Sequence, residues 1–342
     1  MNMKNNSKLG LMVGFSLLCF LIAACVGSVT IPVQEALRVL ANKLFSIPLP
    51  SSVEALTQTI VWDLRLARAS LSFLVGAALA VSGSVMQSVL RKPLASSYTL
   101  GVSSGASLGA AIIIITGWTI PLIGRFTLPL AGLATGLLTV YLAVAVASRV
   151  DKGFSGNTIV LTGMVFTLFV NAVLTLVAYF FPNRTRHILL WQMGSFALKD
   201  WSYVSVLFPI VVVGLFVLFR YTRELDMLTF GEEQAAVMGV ETHKVKWILM
   251  SVAAALTGSA VSFAGVIGFI DLISPHVVRR WCGAAHKWVL PMSALFGGSF
   301  MVLADVVART AISPTELPVG AITALLGGPF FLYVYFQKRR RA

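Results

Sequence analysis

The chain has 342 residues, of which 57% are hydrophobic and only 11% charged, against about 25% charged in an ordinary soluble domain. Those proportions exclude a water-soluble globular protein and place the chain in the membrane class. The formal net charge of +13 does not point to nucleic acid, because the cations cluster between apolar runs, where they set membrane orientation.

A helix needs roughly 20 mostly apolar residues to cross a bilayer, and Gly/Pro breaks and charge clusters divide the chain into about ten such stretches. They lie near 9–29, 65–90, 97–116, 121–148, 157–181, 203–221, 244–265, 266–282, 289–311 and 319–337. The expected fold class is all-α, a polytopic membrane protein. No long polar linker interrupts the series, so residues 1–342 read as a single transmembrane domain.

The first stretch follows Lys4 and Lys8 and ends in an Ile-Ala-Ala-Cys box at Cys25 that mimics a lipoprotein cleavage site. Multispanning proteins also begin with a short basic and then apolar segment, and that is the reading adopted. Cys19, Cys25 and Cys282 set neither a disulfide framework nor a metal-ligand spacing. With the amino terminus cytosolic, 17 of the 26 Lys and Arg residues fall inside and 9 outside. This asymmetry follows the positive-inside rule and puts both termini in the cytosol.

Two longer excursions fall outside: residues 30–64, with Pro32, Pro48 and Pro50, and residues 182–201, with Trp191 and Trp201 as interfacial anchors. Gly76, Ala80 and Ser84 in the second stretch, and Gly101, Gly105 and Gly109 in the third, form four-residue ridges of small side chains. Such ridges let neighbouring helices approach closely. "AALAVSGSV" in the second stretch and "AALTGSAV" in the seventh run in opposite directions and hint at an inverted repeat.

No GxxxxGK[ST] phosphate loop occurs, so the chain is not expected to bind ATP by that route. Ion coupling would need ionisable groups in the membrane, and the candidates are Asp271 and Asp305. Asp305 and Arg309, four residues apart, are expected to pair on one helix. Asp271, early in the eighth stretch, is placed to neutralise the positive end of its helix. His276 has no second His or Cys at metal-binding spacing, and Ser103 and Ser104 have no assignable base, so neither a metal set nor catalytic residues are expected.

"FGEEQAAVMGVETHKVK", residues 230–246, is acidic and helix-prone in an otherwise apolar chain. Gly231 can end the preceding turn, Glu232 and Glu233 suit the first turn of a short helix, and Gly239 fits its left-handed end. Ala235, Ala236, Val237 and Met238 give that helix a small apolar surface on the cytosolic side. On a chain lacking its own motor, this is a candidate docking element for a soluble one, within a loop spanning about 224–242.

Several stretches resemble one family, from "RLARASLSFLVGAALAVSGSVMQSVLRKPLASSYTLGVSSGASLGA" at 65–110 to "GFIDLISPHVVRRWCGAAHKWVLPMSALFGG" from 268 onward. These resemble the permeases of type II ABC importers for iron-siderophores, haem and cobalamin. The resemblance implies a ten-helix subunit in a bacterial cytoplasmic membrane, paired as a homodimer or with a close paralogue. Two cytosolic ATPase subunits would use ATP, an extracytoplasmic binding protein would deliver an iron chelate, and the permease itself would bind no cofactor and no nucleic acid. It implies that Arg65, Arg68 and Arg309 meet acidic residues of the binding protein. It implies that Gly231, Glu232, Glu233, Ala236, Met238 and Gly239 belong to the loop that couples to the ATPase. A cytosolic gate would fall at Lys92 and Leu94 in "RKPLA" and at Asn157 and Thr158 in "SGNT". Lys92 stands where the family usually has Asn, Ala67 where it has Pro, and Asp271 where it has Gly. Asp271 is therefore expected to place a substrate-discriminating charge near the outer mouth. A rival reading, an autonomous ion-coupled transporter, would depend on Asp271 or Asp305.

Overall fold

The computed structural model describes residues 2–48, 54–121, 123–151, 153 and 155–339, with side chains described from 5 to 332 within those ranges. Pro50, and Lys152, Arg340 and Arg341 among the 17 cations assigned to the inside, lie outside the described residues. The chain folds as α1 (Asn2–Cys25), α2 (Val33–Phe45), α3 (Ala55–Thr59), a π-helical stretch at Ile60–Leu66, α4 (Ala67–Val89), α5 (Val102–Thr116), α6 (Thr127–Val150) and α7 (Gly156–Phe180). It continues as α8 (Pro182–Gln192), α9 (Trp201–Arg220), α10 (Thr222–Phe230), α11 (Glu232–Val237), α12 (Thr242–Ala264), α13 (Ile270–Cys282), α14 (His286–Thr310) and α15 (Val319–Arg339). Short 3-10 turns at Ser97–Leu100 and Gly124–Phe126 precede α5 and α6.

Seven helical stretches among the described residues are long and apolar enough to cross a membrane, and α5 and the part of α15 from Val319 to Leu332 are shorter apolar stretches. The tenth expected position, the eighth stretch, holds only the 13 residues of α13, about 20 Å of helix. Residues 265–269 before it are not helical, so α13 begins inside the bundle.

The centre of the bundle is α4, continuous with α3 through the π-helical turn and 89% buried over its apolar window. α14, α12, α13 and α9 pack around it. The small-residue ridges explain how they approach. A Cβ on Gly76 would lie 2.3 Å from the Gly297 carbonyl oxygen, and one on Gly83 would lie 1.9 Å from that of Asp271. The second ridge does the same for α5 against α6, where a Cβ on Gly105 would fall 2.3 Å from Thr139 Oγ1 and one on Gly109 2.2 Å from Thr135 Oγ1. The two similar segments, on α4 and α12, sit on helices that pack against each other.

Candidate functional sites at the two ends of the bundle

Arg65, Arg68 and Arg309 come together at one end, 5–8% exposed. Arg65 Nη1 donates to the Ala24 and Cys25 carbonyls, both at 2.9 Å, and its Nη2 donates to that of Val29. It thereby satisfies backbone acceptors where α1 ends. Arg68 presents its fork to Asp305, with Nε at 2.9 Å from Oδ2 and Nη2 at 2.8 Å from Oδ1, while Nη1 reaches Glu316 at 2.9 Å. Arg309 Nη2 donates to the Ala23 carbonyl at 2.6 Å. Its Nε is buried with no hydrogen-bond partner among the described residues.

The expected Asp305–Arg309 pair is therefore corrected. Arg68, from the adjacent helix, offers Asp305 a bidentate geometry that a neighbour four residues along the same helix does not match. The three arginines, with Lys199, Asp200 and Glu316, line a cavity of about 550 Å³. At its rim, hydrogen bonds from Ser202 and from Arg125 hold the Asp200 carboxyl below its ordinary range against the opposing effect of burial. Burial pushes the Lys199 ammonium below its usual value, and Asp200 partly restores it. Leu198, also on this rim, is 101% exposed.

Asp271 is not at this mouth. It lies in the first turn of α13, 3% exposed, with Oδ2 accepting from Ser96 Oγ and its main-chain carbonyl 3.4 Å from Gln87 Nε2. The non-helical 265–269 segment carries the start of α13 down beside Gly83, so the residue expected near the outer mouth is enclosed. Its place at the positive end of the helix agrees with the sequence reading.

The two segments expected to form a gate lie close together: a Cβ on Gly156 would fall 3.0 Å from the carbonyl oxygen of Leu90, which directly precedes Arg91. Leu94 and Asn157 are exposed and Lys92 half-buried. Thr158 is occupied in a cap: its hydroxyl donates to Asp151 Oδ2 at 2.9 Å, and Asp151 also accepts from the Ser155 and Gly153 amides. These bonds, from Ser155 first, pull the Asp151 carboxyl down to about 2.

At the same end as these two segments lies the acidic segment, with Gly231 close to the Arg91 side chain. Gly231, at φ +135°, separates α10 from α11, and Gly239, at φ +87°, follows α11 in a conformation that L side chains rarely adopt. Glu232 and Glu233 occupy the first turn of α11. Ala235 is buried, whereas Ala236, Val237, Met238 and the preceding Phe230 are exposed. Glu232 forms an ion pair with Lys246, whose side chain is 1% exposed. Lys246 is thus an internal anchor for α11 and not the surface topology charge that the sequence suggests.

Behind this segment runs a polar chain that sequence reasoning missed. Asp226 Oδ1 on α10 accepts from the His286 amide at 2.9 Å and faces His286 Nδ1 at 2.6 Å. His286 Nε2 is 2.7 Å from Ser88 Oγ, and Ser88 Oγ accepts from Arg279 Nη2 at 2.9 Å. Burial pushes the Asp226 carboxyl up, but its bonds from His286 prevail and leave it below the ordinary carboxylate range.

A bundle with a buried arginine cluster at one end and a capped acidic helix at the other is matched by the FecCD transport family model over residues 15–337. The chain belongs to the FecCD transport family. It is 37% identical to an uncharacterized ABC transporter permease protein, YvrB, of Bacillus subtilis, over 99% of this chain and 96% of that one. It is 36% identical to the hemin transport system permease protein HmuU of Yersinia pestis, over 82% of this chain and 84% of that one. A solved structure of a metal-chelate type ABC transporter in an inward-facing conformation superposes with a TM-score of 0.84 at 26% identity, covering 97% of this chain and 99% of that one. As a FecCD protein the chain is a permease subunit of an ABC importer, a transport component and not itself an enzyme. Few of the missed residues carry a sequence signal. Only the position of His286 just after the "CGAA" break could have marked it as a helix start, and nothing local marks Ser88, Asp226 or Glu316.

Proposed function

We propose that this permease imports an iron-siderophore complex across a bacterial cytoplasmic membrane, as a homodimer driven by two cytosolic ATPase subunits and supplied by an extracytoplasmic binding protein. The observation that carries the motor-driven reading is the α10–α11 element, folded, ended by a left-handed glycine and anchored through Glu232 to the buried Lys246, yet presenting Phe230, Val237 and Met238 outward. Exposed apolar side chains on a rigid polar element mark a protein-binding surface. The arginine cavity at the opposite end supports docking of an acidic partner, whose carboxylates would reach Arg65, Arg68 and Arg309 past the rim formed by Lys199 and Leu198. Charge complementarity of this kind orients and speeds docking more than it adds affinity. Transport then follows alternating access, in which ATP binding closes the motor and the coupling segment moves the helices.

For the cargo, relatives named for iron(3+)-hydroxamate and Fe(3+) dicitrate transport support an iron chelate. Relatives named for hemin and cobalamin are similarly close, so both are competitors in the test. The enclosed position of Asp271 gives any influence on selectivity an indirect route, through the α4–α13 contact.

The deciding experiment purifies the permease gently from native membranes and then reconstitutes it with its partners in proteoliposomes. Wild type is expected to retain an ATPase subunit, and Glu233→Lys to lose it. Glu233 is exposed, whereas Glu232→Lys would confront buried Lys246 with a second cation and disturb the fold itself. ATP-dependent uptake of a labelled ferric siderophore in preference to haem and cobalamin supports the cargo. Preference for either competitor overturns the cargo alone, and uptake without the ATPase overturns the motor-driven reading.

A further inference from the structure

Asp226, His286, Ser88 and Arg279 lie on four different helices, yet their side chains form one continuous hydrogen-bonded chain. Asp226 belongs to α10, His286 opens α14, Ser88 is next to the last residue of α4, and Arg279 is in the last turn of α13. The chain extends further inward, since Arg279 Nη1 donates to Gln87 Oε1 at 2.6 Å and Gln87 Nε2 lies 3.4 Å from the Asp271 carbonyl. It therefore runs from the segment read as motor-facing to the start of α13.

The proton inventory shows how firmly it holds. Ser88 has one hydroxyl proton and two acceptors in reach, the Ser84 carbonyl at 3.0 Å and His286 Nε2 at 2.7 Å. Ionised Asp226 only accepts, so it requires a proton on His286 Nδ1. A neutral His286 then accepts a hydrogen bond from the Ser88 hydroxyl at Nε2, and Arg279 Nη2 donates to the Ser84 carbonyl at 3.0 Å. An imidazolium instead donates at both nitrogens, and Ser88 turns its proton to Ser84. Every group is satisfied in either state, so the link persists through both. Ser88 is 4% exposed and its oxygen is already shared with Arg279, which suits a structural link and not a nucleophile.

We propose that His286 is a positioning residue of the transport cycle, tying α10 to the inner end of α4 so that a displacement of α10 is delivered to the most buried span. The proposal rests on the reading of residues 224–242 as the motor-docking loop. Leu225 and Leu228 of α10 also pack into the core that includes α4, but apolar contact is non-directional and tolerates sliding. The hydrogen-bonded chain is directional and holds register. His286 and Ser88 are both almost fully buried, so the bond between them is not replaced by water when one partner is removed, whereas the Asp226 carboxylate at the α10 end is 40% exposed.

The test uses the full importer, permease with ATPase and binding protein, in proteoliposomes, and measures both the ATPase retained and the substrate moved per ATP hydrolysed. His286→Phe fills the same space without ring nitrogens, and Ser88→Ala removes one oxygen at the far side of the link. Each is expected to retain the ATPase while transport per ATP falls about tenfold. The double variant is expected to be no worse than the worse single, as befits two members of one chain. Unchanged transport per ATP in the folded single variants overturns the proposal, as do losses that multiply in the double. Should His286→Phe fail to fold, Ser88→Ala carries the test. An ATPase absent from wild type overturns the motor-docking reading and this proposal with it. An ATPase present, with variants that transport normally, overturns the tie alone.

Discussion

Asp305 is the residue on which the arginine end depends, because it is almost fully buried and receives two donors of Arg68. Breaking a buried pair costs about 3–5 kcal/mol, and without Asp305 the buried Arg68 would keep only the half-exposed Glu316 as an acidic partner. Asp305→Asn is therefore expected to lower the thermal midpoint of the purified permease substantially. Glu316 binds the same guanidinium, but its side chain is 38% exposed. Glu316→Gln should cost about 1 kcal/mol or less, and thermal unfolding of the two variants side by side checks the ranking. Asp151 makes a pH prediction. Its carboxyl is held at about 2, below the ordinary 3.8, so the folded state favours the charged form. Its stabilisation is complete above about pH 4 and is lost as the pH falls toward 2. The difference in thermal midpoint between wild type and Asp151→Asn should shrink over that interval and stay constant above it.

At the scale of elements, the second apolar stretch illustrates what small residues accomplish. Gly83 leaves no room for a Cβ against the Asp271 backbone, whereas Gly239 has open space around it. Gly83→Ala should force α4 and α13 apart and abolish a monodisperse peak in size-exclusion chromatography. Gly239→Ala faces only the cost of a positive φ, about 1–2 kcal/mol, and should remain monodisperse. The ridge containing Gly76 and Ala80 is legible in the sequence because four-residue spacing is a property of one helix. The α10–α11 pair is legible for the same reason, since its glycines and acidic first turn obey local rules of helix termination and polarity. The short α13 is not: composition alone extends an apolar stretch over 266–282, while tertiary packing unwinds 265–269 and starts the helix at Ile270.

For the whole molecule, the least covered span is α7, only 17% buried over its apolar window. It exposes Leu161, Leu168 and Phe169 and, well inside its length, the amide of Asn171. An exposed polar group inside a membrane helix is costly against lipid and is usually found facing protein or a water-filled path. In the proposed homodimer α7 accordingly faces the second copy or the path between copies. Cys19, Cys25 and Cys282 are all buried and free, so a cysteine introduced at Leu168 would be the one accessible thiol among the described residues. Leu168→Cys should give a disulfide-linked dimer on mild oxidation in membranes. A product that stays monomeric while the complex remains active would place the interface elsewhere.

The sequence by itself determined the membrane class, the helical architecture, the distribution of charge and the capped acidic segment, because each depends on composition or on residues within one or two turns of each other. Its long matching stretches also pointed to the family. Only the tertiary structure decided which partners the charged residues take. Arg68 and Asp305 are 237 positions apart, Ser88 and His286 198, and Ser96 and Asp271 175. Burial in the bundle removes water as an alternative partner, so each polar group must bond to whatever the packing of α4 brings within reach. That packing involves several helices at once, and no local spacing encodes it.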